Sequence, residues 1–247
     1  ASVWLLDLGN TRLKLARVDG DAAALAHADA DFDTRLALAL ASASSGDVAW
    51  LASVAAEPVR QRVEAALDAR GLRIHRARTR AECAGLRIAY ADPARLGVDR
   101  FLAMLAARRR GGDWLLASFG SALTVDLLDA DGRHRGGLIG IAPAHQKDAL
   151  RARFPALDRG AGDATVRWAD DTPDAVEAGA RRQALGLLLA AFDDARAELG
   201  RTPRVLVGGG DAAGFADELA RRLGVEVEAN EALVLEGLAV YANVHDG

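Results

Sequence analysis

The sequence predicts a doubled α/β fold, and two observations support this prediction. Two segments about 110 residues apart, residues 4–20 and 114–132, share one form: an apolar run, a tight glycine turn and a second strand. After each segment, strand-like and helix-like stretches alternate, which is typical of sheets covered by helices. We therefore expect two related halves that share a cleft. The boundary falls at the Gly111-Gly112-Asp113 turn, giving one domain over residues 1–112 and another over residues 113–247.

The other predicted elements follow from apolar periodicity, from Pro at helix starts and from Gly at helix ends. In the first half they are a helix over residues 35–43, a strand over 47–54, a helix over 58–71, a strand over 72–75 and, after a turn at Pro93, a helix that ends before Gly111. In the second half they are a helix over 173–199, a strand over 205–207, a helix ending at Leu223, a strand over 225–227 and a final helix.

The composition is that of an ordinary globular chain. Its 247 residues, 51% hydrophobic and 27% charged, are enough to bury a sizeable core. The 31 basic and 35 acidic residues give a net charge of −4, which argues against a general nucleic-acid or anionic-membrane surface. The single cysteine, Cys83, excludes an intramolecular disulfide and a cysteine zinc cluster. We find no signal peptide or apolar span, so we expect a cytoplasmic protein without nucleic-acid or membrane partners.

Asp7 stands where the first strand meets its glycine turn. Amides and hydroxyls of such a turn can surround an anion, and two facing turns would hold a chain of phosphates. A carboxylate beside them suits a hydrated Mg²⁺, which prefers oxygen ligands. The alternative is an Asp that only caps the turn. Lys14 on the return strand would either reach phosphate oxygens or be a solvated strand lysine.

Asp99 lies within Leu96-Gly97-Val98-Asp99-Arg100 at a predicted helix start. One interpretation is an N-cap that satisfies free backbone amides. The other is catalytic, because phosphorylation of an alcohol needs a group that accepts the hydroxyl proton and cations that neutralise the phosphoryl group. Asp99 beside Arg100 supplies both kinds of group, and Gly97 would let a substrate approach the backbone.

The five histidines have no spacing typical of a metal site, so we expect each to be structural or solvent-facing. His134 lies between Arg133 and Arg135 after the second hairpin. That position predicts an exposed basic turn, and the alternative is a small basic cluster that contacts phosphate.

These motifs together resemble the type III pantothenate kinases, a family of the acetate kinase, hexokinase, Hsp70 and actin superfamily. The resemblance implies an α/β fold with two duplicated ribonuclease H-like (actin-like ATPase) domains around a central cleft. Six segments match in the family's order over nearly the whole chain. They are DLGNTRLK at 7–14, YADP through LGVDR at 90–100, FGSALTVD at 119–126 with the following Gly136-Gly137, DTPDA at 171–175, VGGG at 207–210 and LVLEGL at 233–238.

The resemblance implies ATP-dependent phosphorylation of pantothenate to 4'-phosphopantothenate, the first step of coenzyme A biosynthesis. Asp99 would be the general base, Asp7 would hold Mg²⁺ through water, and the purine would lie near residues 208–210. The family also implies a homodimer in which Thr172 completes the substrate pocket across the interface. The implied substrate-binding residues are Tyr90, Gly97, Val98, Arg100 and Thr172, and the implied ATP-binding residues are Asp7, Leu8, Gly9, Asn10, Thr11, Arg12, Leu13, Lys14, Gly120 and Ser121.

The chain departs from the family pattern at two positions. Family members commonly carry an Asp of a potassium or ammonium site where this chain has Ser118. A neutral hydroxyl binds a cation far less well than a carboxylate, which puts dependence on K⁺ or NH₄⁺ in doubt. Ser121 replaces the usual threonine but keeps the hydroxyl.

Two alternatives to a pantothenate kinase stay open. One is a non-catalytic nucleotide-binding accessory or regulatory protein of the same fold, and the other is a kinase for another small alcohol. The retained Asp7, Asp99 and Arg100 argue against a mere binder, which has little need of a base beside an acceptor pocket.

Overall fold

The computed structural model describes residues 1–157 and 160–245, which form two compact units. Each unit is assembled from separate stretches of chain. Unit 1 comprises Ala1–Gly111, Ala130–Gly136 and Ala232–Gly247, and unit 2 comprises Gly112–Asp129 and Gly137–Glu231.

Unit 1 is built on a five-stranded sheet. Its elements are β1 (Val3–Leu8), β2 (Arg12–Arg17), β3 (Ala23–Ala26), α1 (Phe32–Ala39), β4 (Val48–Ser53), α2 (Glu57–Asp68), β5 (Arg73–Arg76), the short strands β6 (Glu82–Cys83) and β7 (Leu86–Arg87), and α3 (Val98–Arg110). The strand order is β3-β2-β1-β4-β5, with β1 antiparallel to β2 and parallel to β4. The central strand β1 is buried along most of its length, which explains its nearly continuous apolar sequence.

Unit 2 repeats this plan. Its elements are β8 (Trp114–Phe119), β9 (Ala122–Leu128), β10 (His134–Ile141), α4 (Pro143–Arg153), α5 (Thr172–Leu199), β11 (Arg204–Gly209), α6 (Ala212–Leu223) and β12 (Val227–Ala229), followed by α7 (Leu233–His245). The second sheet has the order β10-β9-β8-β11-β12, the same arrangement as the first. The first three residues of β10 belong to unit 1, and the others to unit 2.

The predicted duplication is confirmed by these two equivalent sheets. Every helix and strand that periodicity predicted is present, with ends displaced by a few residues. Sequence analysis missed β3, β10, α4 and the two-residue strands β6 and β7. The sequence of β3, AALA, has no polar alternation, and the Gly136-Gly137 pair interrupts the strand pattern of β10.

The helix α7 belongs to unit 1, although the sequence analysis placed all residues after 112 in the second domain. The reason is its packing against α3, which buries Leu238 and Tyr241. The predicted domain boundary at residue 112 stays a prediction. No helix in the described part of the chain is both long and apolar enough to cross a membrane.

Gly237 determines how closely α7 approaches α3. A Cβ atom at this position would overlap the backbone carbonyl oxygen of Leu102 in α3. Because backbone cannot move aside as a flexible side chain can, only glycine permits this helix contact. The helix α3 also carries Asp99 and Arg100, so this contact supports the segment with the predicted general base and a predicted substrate-binding residue.

We expect Gly237→Ala to lower the free energy of unfolding by about 3 kcal/mol, at the upper end of the usual cost of overpacking. Gly186→Ala is the matched control, because Gly186 lies inside α5 with open space where a Cβ would be. Helix propensity should make that control neutral or more stable by up to about 1 kcal/mol. Urea unfolding of the three proteins measures both effects. Equal stability of Gly237→Ala and the native chain would contradict the close helix contact.

Candidate active site

The turn between β1 and β2 is held from several sides. The Gly9 N–H donates to the Arg12 carbonyl at 2.9 Å, which closes the hairpin. Leu8 and Leu13 flank the turn and are fully buried, so their side chains anchor it in the core. Asn10 and Thr11, by contrast, are exposed. The turn therefore presents backbone and small polar groups to solvent on a rigid base.

His27 holds the same turn, and sequence analysis missed this role. Its ring Nε2–H donates to the Gly9 carbonyl at 3.2 Å, and its backbone N–H donates to the Thr11 carbonyl at 3.2 Å. A lone histidine after a weak strand carries no sequence signal for such a contact. The two bonds fix the orientation of the turn that sequence analysis assigned to phosphate binding.

Asp7, Lys14 and Asp99 are brought together in unit 1. Asp7 and Lys14 are direct cross-strand partners on β1 and β2. The pKa of Asp7 is raised from 3.8 to about 7: burial is the largest cause, the nearby charge of Asp99 adds to it, and Lys14 opposes it. Two carboxylates that repel each other beside one ammonium group form a site suited to a cation with oxygen ligands.

Asp99 is the second residue of α3, and Gly97 is the N-cap. The interpretation of Asp99 as the N-cap is therefore wrong. A Cβ on Gly97 would lie 2.6 Å from Asp99 Oδ1, so the carboxylate occupies the space that glycine leaves open. An anion in the first turn is also favoured by the helix dipole. Glycine at 97 thus allows the observed position of the carboxylate.

The first turn of α3 also contains Val98 and Arg100, and Arg100 contacts Tyr90. The Arg100 Nη1–H donates to the Tyr90 hydroxyl at 3.3 Å, and Arg100 is only 6% exposed. Val98 is also buried. His134 is 4% exposed and stacks on Tyr90. The expectation of an exposed turn at His134 is wrong, because the stretch Ala130–Gly136 packs into unit 1.

The other predicted site residues lie in unit 2. The turn between β8 and β9 resembles the first, with the Gly120 N–H donating to the Ala122 carbonyl at 3.0 Å. Ser121 stands in this turn. Ser118 lies one residue before the end of β8, opposite Thr124 on β9 and beside Gly208 on β11.

Gly209, at the end of β11, has a φ of +89°, and a Cβ there would overlap the Phe119 carbonyl. Both features require glycine. Phe119 directly precedes the Gly120 turn, so any larger residue at 209 would distort that turn. A substitution at 209 therefore does not isolate the proposed purine contact.

Thr172 begins α5 beside a cavity of about 560 Å³. Asp171 is the N-cap, and its carboxylate accepts from the Asp174 N–H at 3.1 Å. Gln146 and Gln183 supply further polar groups to the cavity wall. Thr172 is thus held at a helix start, where it borders a space large enough for a small ligand.

The described side chains supply few ligands for a metal ion at any one place. Across residues 1–157 and 160–245, no group of three or more His, Cys, Asp or Glu side chains is arranged to hold a metal ion. A protein site that contributes one or two carboxylates is typical for Mg²⁺, which keeps water and takes oxygen atoms from substrate phosphates. The residues near Asp7 fit that requirement.

The doubled sheet with a carboxylate at its first glycine turn is the actin-like class of α/β fold. Solved structures support this class. A conserved protein of Campylobacter jejuni assigned to the Baf family of transcriptional activators superposes with a TM-score of 0.63 at 17% identity, covering 99% of this chain and 100% of that one. An archaeal actin homologue gives a TM-score of 0.54 at 13% identity, covering 98% and 99%. These likenesses confirm the predicted pair of ribonuclease H-like domains.

The sequence comparisons identify the family within that class. Residues 3–193 match the family model of type III pantothenate kinase. The type III pantothenate kinase of Xanthomonas campestris pv. campestris (strain B100) is 45% identical over 244 residues, 98% of this chain and 97% of that protein. The one from Stenotrophomonas maltophilia (strain K279a) is 41% identical over 242 residues with the same coverage. The chain belongs to the type III pantothenate kinase family.

The raised pKa of Asp7 predicts a pH-dependent stability in metal-free buffer. Between about pH 4 and pH 7 the folded protein holds a proton that the unfolded chain releases. The free energy of unfolding should therefore fall as the pH rises through this window, by up to about 1.4 kcal/mol per pH unit. Asp7→Asn should lose this contribution. Urea unfolding from pH 5 to pH 8 measures it, and identical slopes in the two proteins would contradict the shift.

Proposed function

We propose that this protein transfers the γ-phosphoryl group of ATP to the primary hydroxyl of pantothenate. The product is 4'-phosphopantothenate, formed in the first step of coenzyme A biosynthesis. The observation that carries the proposal is the convergence of Asp7, Lys14 and Asp99 in one unit of a chain that belongs to this family. Transfer of a phosphoryl group to a hydroxyl needs a base beside a phosphate-binding turn, and unit 1 contains both.

Asp99 is the proposed general base. Its carboxylate lies at the start of α3 over Gly97, next to the buried Arg100. In the proposed reaction Asp99 accepts the proton of the attacking hydroxyl as its oxygen bonds to the γ-phosphorus and the bond from that phosphorus to the leaving ADP breaks. Arg100 and Tyr90 bind the acceptor, and the guanidinium suits its carboxylate because it donates several fixed hydrogen bonds. Gly97 and Val98 contribute backbone groups.

The turn from Asp7 to Lys14 is the proposed phosphate site of unit 1. The Gly9 amide is engaged within the hairpin, so the amides of Asn10, Thr11 and the following residues would meet the phosphate. Leu8 and Leu13 contribute through the backbone, since their side chains are in the core. In unit 2, Gly120 and Ser121 would contact ATP.

Asp7 would hold Mg²⁺, mainly through water and together with phosphate oxygens. When bound, the ion neutralises charge on the transferring phosphoryl group. Lys14 acts as a point charge toward the same phosphates, because it lies directly across from Asp7. Burial and, to a smaller extent, repulsion by Asp99 raise the pKa of Asp7, and a bound cation would relieve that repulsion.

A homodimer in which Thr172 completes the substrate pocket is a further part of the proposal. Thr172 borders a cavity at the start of α5. Unit 2 also exposes several large apolar side chains that a partner would cover. They are Leu138, Ile139, Ile141, Phe154 and Trp168.

We also infer a cytoplasmic location. The chemistry of Cys83 supports it. Cys83 is a free, buried cysteine, and burial raises the pKa of its thiol, so it is poorly reactive. A free thiol is usual in a reducing compartment.

Asp99→Asn should reduce turnover about 10²- to 10⁴-fold, since it removes the proton acceptor. ATP affinity should stay within about threefold, because the phosphate turns are intact. Asp68→Asn is the control: it makes the same chemical change at an exposed position on α2 and should keep native turnover. The measurement is ADP release from Mg-ATP with pantothenate, alongside ATP binding by calorimetry.

The same assay decides between the proposed kinase and its alternatives. Turnover that needs pantothenate and survives in Asp99→Asn would overturn the role of Asp99. A folded native protein that binds ATP but releases no ADP would favour an accessory protein, unless a panel of small alcohols restored turnover.

Ser118 predicts a weak response to monovalent cations. Replacing K⁺ or NH₄⁺ by choline should change native turnover less than about threefold, because a neutral hydroxyl binds a cation poorly compared with a carboxylate. Ser118→Asp should increase activation by K⁺, whereas Ser118→Ala should behave like the native protein. Strong K⁺ activation of the native chain that persists in Ser118→Ala would show that the cation site does not depend on this position.

A further inference from the structure

His134 belongs to a short stretch of chain that is fixed against the substrate segment of unit 1. The Arg87 N–H donates to the Gly132 carbonyl at 2.8 Å, and Arg87 and Arg133 form an isolated parallel bridge. Arg108 on α3 donates to the carbonyls of Gly85 at 3.2 Å and Ala130 at 3.3 Å. These bonds place the start of β10 alongside the backbone that leads to Tyr90.

The ring of His134 is a hydrogen-bond acceptor. The Ala89 backbone N–H donates to His134 Nδ1 at 3.3 Å. An imidazole nitrogen accepts only when it carries no proton, so this bond selects the neutral ring with its proton on Nε2. The ring is 4% exposed, and its position is therefore set by the backbone of the residue directly before Tyr90.

The same ring supports Tyr90. The two rings are stacked, with centroids 6.0 Å apart and planes 14° from parallel. Tyr90 in turn meets Arg100: its hydroxyl accepts from Nη1, and the guanidinium carbon lies 5.7 Å from the ring centroid. A chain of contacts therefore runs from Ala89 through His134 and Tyr90 to Arg100, whose neighbour in sequence is Asp99.

We propose that His134 is a positioning residue, which holds Tyr90 and through it Arg100 in the orientation that binds the acceptor's carboxylate. This inference rests on the proposed function of the site. His134 does not touch the substrate. It acts by two features at once, the Nδ1 lone pair that anchors the ring and the ring face that supports Tyr90.

The first test is His134→Asn. The Asn carbonyl replaces Nδ1 as the acceptor for the Ala89 N–H, so the fold is kept while the ring face is lost. We expect the KM for pantothenate to rise about tenfold, with the KM for ATP within about twofold and a nearly native melting temperature. His75→Asn is the matched control, because His75 is an exposed histidine of unit 1 that also stacks on an aromatic ring, Trp50, at 4.9 Å. It should leave both KM values unchanged.

The second test is a double-mutant cycle with Tyr90→Ala. If His134 acts through Tyr90, then His134→Asn should add less than about twofold to the pantothenate KM once Tyr90 is absent. If instead the two substitutions raise the pantothenate KM by factors that multiply in the double variant, then His134 contacts the substrate itself. That result would overturn the positioning role. Two further results for His134→Asn would overturn it. One is an equal rise in the KM values for pantothenate and ATP, and the other is a lower melting temperature with both KM values unchanged.

A substrate-free measurement separates this inference from the proposed function. In a crystal structure of ligand-free His134→Phe, which keeps a ring but has no acceptor, we expect the Tyr90 ring displaced and its bond to Arg100 lost. If Tyr90 and Arg100 keep their hydrogen bond in His134→Phe, the inference is overturned, even when the native protein phosphorylates pantothenate. Native protein without turnover on pantothenate would instead overturn the proposed function, while the displaced pair would still support the contact chain.

Discussion

The burial of Asp7 close to the charge of Asp99 is the constraint on which the proposed site of unit 1 depends. Burial removes water from Asp7, and the nearby charge of Asp99 makes its ionised form still less favourable. The surrounding chain offsets only part of this cost. Lys14 lies across from Asp7, and the amino end of α3 favours the anion at Asp99. The pair is therefore unfavourable in the free protein, which is a physical reason for such a site to bind a cation together with a phosphate ligand.

The two copies of the fold show how charge distinguishes equivalent positions. Asp7 lies one residue before the end of β1, and its cross-strand partner is Lys14. The corresponding pair in unit 2 is Ser118 and Thr124, with the same antiparallel register. The backbone plan is thus repeated, but the first copy places two opposite charges at its turn and the second places two hydroxyls. This difference in charge is one reason why the Mg²⁺ site is proposed for unit 1.

Much of the fold and part of the site are predictable from the sequence, because apolar periodicity and glycine turns are local. The paired segments at 4–20 and 114–132 predict both central hairpins, and the structure confirms them. The features that sequence analysis does not capture depend on contacts between residues that are distant in the chain. The assignment of α7 to unit 1 depends on the fit of Gly237 against Leu102, and no window of sequence contains both residues. The shielding of His134 likewise depends on a stretch of chain that crosses from one unit to the other.

The histidines show why lone polar residues are hard to interpret from sequence. His27 and His134 have no motif around them, yet each makes a hydrogen bond to the backbone of a segment that carries predicted site residues. The two bonds have opposite polarity, since His27 donates to a carbonyl and His134 accepts from an amide. Both require a specific proton position on the ring. A neutral imidazole can meet either requirement by changing its tautomer, whereas lysine or arginine only donates and a carboxylate would add charge. Near the buried guanidinium of Arg100, a neutral ring supports Tyr90 without competing for the anionic group that Arg100 is proposed to bind.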